Sequence, residues 1–207
     1  MLTAGEQLLC IPCRSDLPET NFSEWQENIV ERSFYGRIPI ENATSLLYFN
    51  KKGNVQKLIH QLKYKNHQEI GTFLGNWLAE RMIISKRFRN IDYIVPVPLH
   101  AKKLKERGYN QVITFGESLA SKLDIPLLEK VLIRISKSKA QTFKDRFERS
   151  DHIQEKFDLA DKEIFKNKHI LLIDDIITTG ATLEACSIQL LQTSNIKISI
   201  ATMVYTL

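Results

Sequence analysis

One stretch constrains the fold more than any other. "HILLIDDIITTGATLEACSIQLL", His169 to Leu191, places an apolar run, two adjacent acids, a patch of small hydroxylic residues and a helical pattern in immediate succession. "HILLI" (169–173) has the composition of a buried strand. "ATLEACSIQLLQT" (181–193) has helical spacing. A strand, a short turn and a helix make one half of a βαβ crossover. Ligands of such sheets sit outside the carboxyl ends of the strands. With the strand ending at Ile173, Asp174 and Asp175 emerge at that edge.

The rest of the chain supports the same class. "ATSLLYF" (43–49), "DYIVPVP" (92–98), "VLIRI" (131–135) and "IKISIATMVYT" (196–206) read as strands. "VQKLIHQLKY" (55–64), "IGTFLGNWLAERMI" (70–83) and "NQVITFGESLASKL" (110–123) read as helices. Trp77, on the apolar stripe of the second helix, belongs to the core. Strands alternating with helices predict an α/β fold, a mostly parallel twisted sheet flanked by helices. A polar, charged run, "SKSKAQTFKDRFERSD" (136–151), interrupts the alternation. Residues 1–35 read as a short irregular N-terminal segment, and 36–207 as the folded domain.

Composition excludes little. The chain has 207 residues and a net charge of +5, which suits an anionic ligand and does not require nucleic acid. Trp25, Phe34 and Tyr35 could stack single-stranded bases, but they are not interleaved with a dense basic run. No apolar segment approaches the roughly 20 residues that span a bilayer. The opening residues do not read as a secretory signal, so a cytoplasmic location and no membrane insertion are expected. Three cysteines argue against a disulfide framework. Cys186 reads as a core residue. Cys10 and Cys13 form one C-x-x-C pair, half of a four-ligand zinc set, so zinc is not expected.

The acids and the turn behind them carry the chemistry. Two neighbouring carboxylates repel and need partners; sugar hydroxyls or a divalent cation would serve. Thr178, Thr179, Gly180, Ala181 and Thr182 lead into a helix whose first amides favour an anion. A ribose 5-phosphate suits this pair of features. A helix cap is the competing explanation, and capping needs only one of the threonines. Neither a Walker spacing nor a dinucleotide fingerprint is present.

"HILLIDDIITTGAT" resembles the thirteen-residue signature of the type I phosphoribosyltransferases. "IVPVPLHAKKLKERGYNQ" (94–111) is similar to a hallmark of their ComF/GntX-like branch, bacterial proteins that include competence proteins linked to DNA uptake. "KLIHQLKYKNHQEIG" (57–71) and "AQTFKDRFERSDHIQEKF" (140–157) extend the likeness, which spans roughly 43–207. The resemblance implies phosphoribosyl pyrophosphate (PRPP) as ligand, with Asp174 and Asp175 catalytic at the ribose and Thr178–Thr182 on its 5′-phosphate. It implies pyrophosphate binding by Val97, Pro98, Leu99, His100, Lys102, Lys103 and Arg107. Gln141, Thr142 and Arg149 match a mobile hood. His152 stands where the family usually has Asn; it is a general base or an exposed loop histidine. Lys63 and Lys65 face the pocket or the solvent. Mg²⁺ is the implied cofactor, organised by Asp174 and Asp175. "LLCIPCRSDLPET" looks like the second half of the family's zinc module, with Cys10 and Cys13 as vestigial ligands. Relatives also imply a homodimer, a helicase partner in DNA uptake, and a nucleobase or amine as acceptor. Two functions stay open: transfer of ribose 5-phosphate with release of pyrophosphate, or a non-catalytic PRPP- or nucleotide-binding role in transformation.

Overall fold

A computed structural model describes residues 8–135 and 156–206. Its main sheet has four parallel strands: β1 (Ala43–Tyr48), β2 (Tyr93–Pro96), β5 (His169–Ile177) and β6 (Lys197–Tyr205). Their spatial order is β1-β6-β5-β2. β3 (Leu132–Ile135) and β4 (Lys156–Leu159) pair with each other, antiparallel, as a separate ribbon. "VLIRI" is therefore a strand, as its composition predicts, but it lies outside the parallel series in which its position in the alternation suggested it.

Helices cover both faces. On one, α3 (Asn54–Tyr64), α4 (Glu69–Ser85) and α6 (Ile113–Leu123) pack on Leu171 and Ile173. The stripe Val55, Leu58, Ile59 and Leu62 of α3 is buried there, as its spacing predicts. Trp77 joins the same core. On the other face, α7 (Ala181–Leu190) lays Leu183, Cys186 and Leu190 over Ile170 and Leu172. A short α5 (Ala101–Arg107) follows β2.

The N-terminal segment is less irregular than its sequence suggests. A five-residue turn of helix, α1 (Ile11–Ser15), opens it. Residues 18–20 then run antiparallel along the outer edge of β1, with Tyr48 N–H donating to Pro18 O (2.8 Å) and Thr20 N–H to Leu46 O (3.0 Å). This pairing covers an exposed strand edge. The helical turn α2 (Ile29–Arg32) starts with a capping box between Asn28 and Glu31. Phe22, Val30 and Phe34 are buried in the α7-side core. Arg87 fixes the segment by donating to Glu31 Oε1 (2.7 Å) and to the Trp25 carbonyl.

Candidate active site

The strand carrying the acids runs further than the change in composition suggests. β5 continues to Ile177 because β6 offers partners to the end: Asp174 pairs with Thr202, Ile176 with Val204 and Ile177 with Tyr205. β2 stops at Pro96, opposite Ile173. Asp174–Ile177 thus project beyond the β2 edge, supported on one side only.

Side chains alternate across a strand, and this separates the two carboxylates. Asp174 continues the row of Ile170 and Leu172, toward α7. Half-buried, it lines a depression of about 50 Å³ formed with Ile176–Leu183. That volume lies well below the roughly 300 Å³ at which drug-sized pockets begin, so it suits one small group. One oxygen of Asp174 accepts the Asp175 N–H at 2.8 Å.

Asp175 continues the row of Leu171 and Ile173, toward α3 and α6, and is 6% exposed. Its Oδ2 receives Lys63 Nζ at 2.9 Å and a hydrogen bond from Gln111 Nε2. Gln111 Oε1 accepts from Arg107 Nη1 at 2.7 Å, and the Arg107 guanidinium lies 5.0 Å from the centre of the Tyr64 ring. Two further bonds set this corner. Tyr109 O–H donates to the Leu62 carbonyl at the end of α3, and Asn110 Nδ2 donates to the Val97 carbonyl (3.1 Å). Arg107, Tyr109, Asn110 and Gln111 of the stretch "RGYNQ" thus join α3, the loop after β2 and β5.

The turn after β5 is shaped from outside. Gly180 takes φ +74° and is the N-cap of α7, with no side-chain cap. Thr178, Thr179 and Ala181 are exposed and Thr182 half-buried. Thr179 Oγ1 accepts from Ala181 N–H only at 3.4 Å. The helix-cap explanation for the threonines therefore has little support here, and the start of the helix lacks the side-chain acceptor that caps usually supply. Arg37, which sequence reasoning missed, braces the turn. It donates to the Thr179 carbonyl (2.8 Å) and the Ser33 carbonyl (2.9 Å), and its Nε reaches Glu184 Oε2 at 3.1 Å. No local pattern marks Arg37, because its partner lies 142 residues away.

The pyrophosphate candidates divide. Val97 is buried, and Pro98, Leu99 and His100 are half-buried in the loop after β2. The His100 ring accepts from Lys102 N–H as the N-cap of α5. Arg107 joins the Asp175 network. Lys102 is 79% exposed beside Glu106, and Lys103 also projects to solvent. Lys63 is drawn in, whereas Lys65 is exposed. Gln141, Thr142, Arg149 and His152 lie outside the described residues. Cys10 and Cys13 are half-buried at the start of α1, and neither is in a disulfide. Among the described residues no helix is long and apolar enough to cross a membrane, and no three acidic, His or Cys side chains cluster as metal ligands do.

Residues 111–206 match the family model described as the phosphoribosyl transferase domain. Competence protein F of Haemophilus influenzae is 32% identical over 134 residues, which is 63% of this chain and 58% of that protein. DNA utilization protein YhgH of Escherichia coli K12 is 28% identical over 128 residues, 60% of this chain and 56% of that protein. The matches thus span little more than half the length of these curated relatives. Adenine phosphoribosyltransferase of Leishmania tarentolae overlays with a TM-score of 0.45 at 15% identity, over 80% of this chain and 92% of that one. At that similarity nothing about chemistry transfers.

Proposed function

We propose that this chain carries a phosphoribosyl transferase domain of the ComF-like kind, a reading supported by the family-model match and the similarity to Competence protein F, and that it binds PRPP at the β5–α7 turn and transfers ribose 5-phosphate to a nucleobase or amine. The observation that carries this reading is the juxtaposition of Asp174 with a helix start that has no side-chain cap, inside one small depression. The 5′-phosphate sits on the amides of 179–182, where the helix dipole favours negative charge. The ribose lies over the end of β5, its hydroxyls donating to Asp174 and to the second oxygen of Asp175, whose Oδ2 is engaged.

Loss of pyrophosphate leaves positive character at C1 of the sugar. The protein then has to align the acceptor and the leaving group, neutralise the departing charge and keep water out. Asp174, near the positive centre, stabilises it electrostatically. Mg²⁺ suits this donor set, because it is commonly held by one or two carboxylates together with substrate phosphates. Asp174 would hold it, and it would supply charge neutralisation. The similarity to Competence protein F and YhgH extends the proposal to a role in the uptake or use of DNA.

The test is pyrophosphate release from PRPP and Mg²⁺ across a panel of nucleobases and amines. The reading expects turnover with at least one acceptor, abolished by joint Asp174→Asn and Asp175→Asn. A double variant that turns over normally would remove the acids from the chemistry. PRPP binding with no product from any acceptor would make the chain a binding protein instead of a transferase.

A further inference from the structure

We infer that Thr202 is a positioning residue for Asp174: its hydroxyl, backed by the hydroxyl of Ser45, donates to the Asp174 carboxylate when the sugar phosphate binds. This rests on the PRPP reading above and deepens it by naming what holds the acid from within the sheet.

The three residues form one row across the strands. Thr202 is the register partner of Asp174 on β6, and Ser45 is the partner of Thr202 on β1. Residues paired in this way share a face of the sheet. Ala201 and Met203 belong to the core under α3, α4 and α6, so Thr202 between them faces α7, as Asp174 does. Neighbouring strands lie about 4.8 Å apart, which leaves each hydroxyl one side-chain rotation from the next group. Thr202 is fully buried and Ser45 nearly so, yet neither hydroxyl has a hydrogen-bond partner. Nearby hydroxyls are bonded. Ser23 Oγ meets Thr44 Oγ1 at 2.9 Å, Thr20 Oγ1 donates to the Ser45 carbonyl, and Ser199 Oγ meets His169 Nε2. A buried hydroxyl left unbonded is costly and uncommon. Among the described residues there are four, and two of them stand side by side in this row.

The acid sets the direction of the row. A carboxylate only accepts, whereas a hydroxyl donates once and also accepts. Thr202 therefore donates to Asp174 and its oxygen accepts from Ser45, so a single chain satisfies both hydroxyls. Ligand binding is the event that closes this chain. Asp174 is half-buried, with one oxygen on the Asp175 N–H. A ribose over the end of β5 strips solvent from the carboxylate, and a covered charge needs donors. The sugar hydroxyls supply them from one side and Thr202 from the other. Thr202 itself touches no ligand; it fixes the direction in which the carboxylate points.

The test is isothermal titration of the full chain with PRPP and Mg²⁺, beside urea unfolding of the same samples. Thr202→Val keeps the shape of the side chain and removes the hydroxyl. It should weaken PRPP binding about tenfold, the scale of a hydrogen bond to a charged group, while the urea midpoint holds or rises. Thr202→Ser keeps the hydroxyl and loses a methyl group, so the midpoint should fall while most of the affinity lost in Thr202→Val returns. Ser45→Ala should weaken binding about threefold in the parent and no further in Thr202→Val, because the two hydroxyls act in series. Should Thr202→Val fail to fold, Ser45→Ala decides alone: unchanged PRPP binding overturns the row. Thr202→Val that binds as the parent does, or affinity that merely follows the urea midpoint across the variants, overturns the role of Thr202 and leaves the PRPP site standing. A parent chain that binds no PRPP overturns the site and this role together.

Discussion

Replacing Gly180 by alanine isolates the contribution of the β5–α7 turn. At φ +74° an L side chain is strained by about 1–2 kcal/mol. The new Cβ would also lie 3.0 and 3.1 Å from two ring carbons of Phe34. That ring is fully buried and cannot swing aside, so overpacking adds about 1–2 kcal/mol. The expected loss of stability is about 2–4 kcal/mol. Gly36→Ala supplies the comparison. Its φ is +72°, but nothing lies within 4 Å of the added atom, so it should lose only the strain, about 1–2 kcal/mol. Urea unfolding of both variants reads the difference. Relief of the Phe34 contact must move the turn, so the amides at 179–182 lose their common aim. Titration with ribose 5-phosphate should then show about tenfold weaker binding for Gly180→Ala, a loss of about 1.4 kcal/mol. Equal destabilisation by the two substitutions, with ribose 5-phosphate binding intact in Gly180→Ala, would refute the link between this backbone geometry and the ligand.

Arg87→Met removes one partner of a buried pair, since Arg87 and Glu31 side chains are 13% and 8% exposed; urea unfolding should show a loss of about 3–5 kcal/mol, and Glu31→Gln in the same chain should add less than its separate cost. Burial holds the His169 imidazole below its usual range, with its Nε2 on Ser199 Oγ at 2.9 Å. The unfolded chain therefore takes up that proton at a higher pH than the folded one, and stability falls as pH drops below about 6.5. His169→Gln should flatten this part of a stability–pH profile; an unchanged slope would contradict it. Asp92 acts at lower pH, because the His169 N–H holds its carboxyl below the usual range, so its stabilisation persists above the ordinary carboxylate range and is lost in strong acid.

Much of the fold is legible in the residues, for physical reasons that also explain the exceptions. The stripe of α3 and the apolar run of β5 are local patterns, and local patterns decide local structure. The pairing of β3 is not local: "VLIRI" has strand composition, but the choice between the main sheet and β4 depends on a partner more than twenty residues on. The end of β5 lies beyond the point its sequence indicates, because two acids resemble a strand terminus, whereas the backbone pairing with β6 is indifferent to side-chain charge. Residues 1–35 lack periodicity, yet Phe22, Val30 and Phe34 are buried by long-range packing. One signal there was available: Asn28-x-x-Glu31 is the spacing of a capping box. At the site, the acids and the small-residue turn stand out in the sequence. The roles of Lys63, Gln111 and Arg37 do not, because each depends on a partner far along the chain.

A crystal grown with PRPP and Mg²⁺ addresses the ligand site most directly. The 5′-phosphate should lie within hydrogen-bond distance of the amides between Thr179 and Thr182, with a ribose hydroxyl on Asp174. A sugar phosphate bound elsewhere, with Asp174 turned from it and the turn bare, would contradict the assignment.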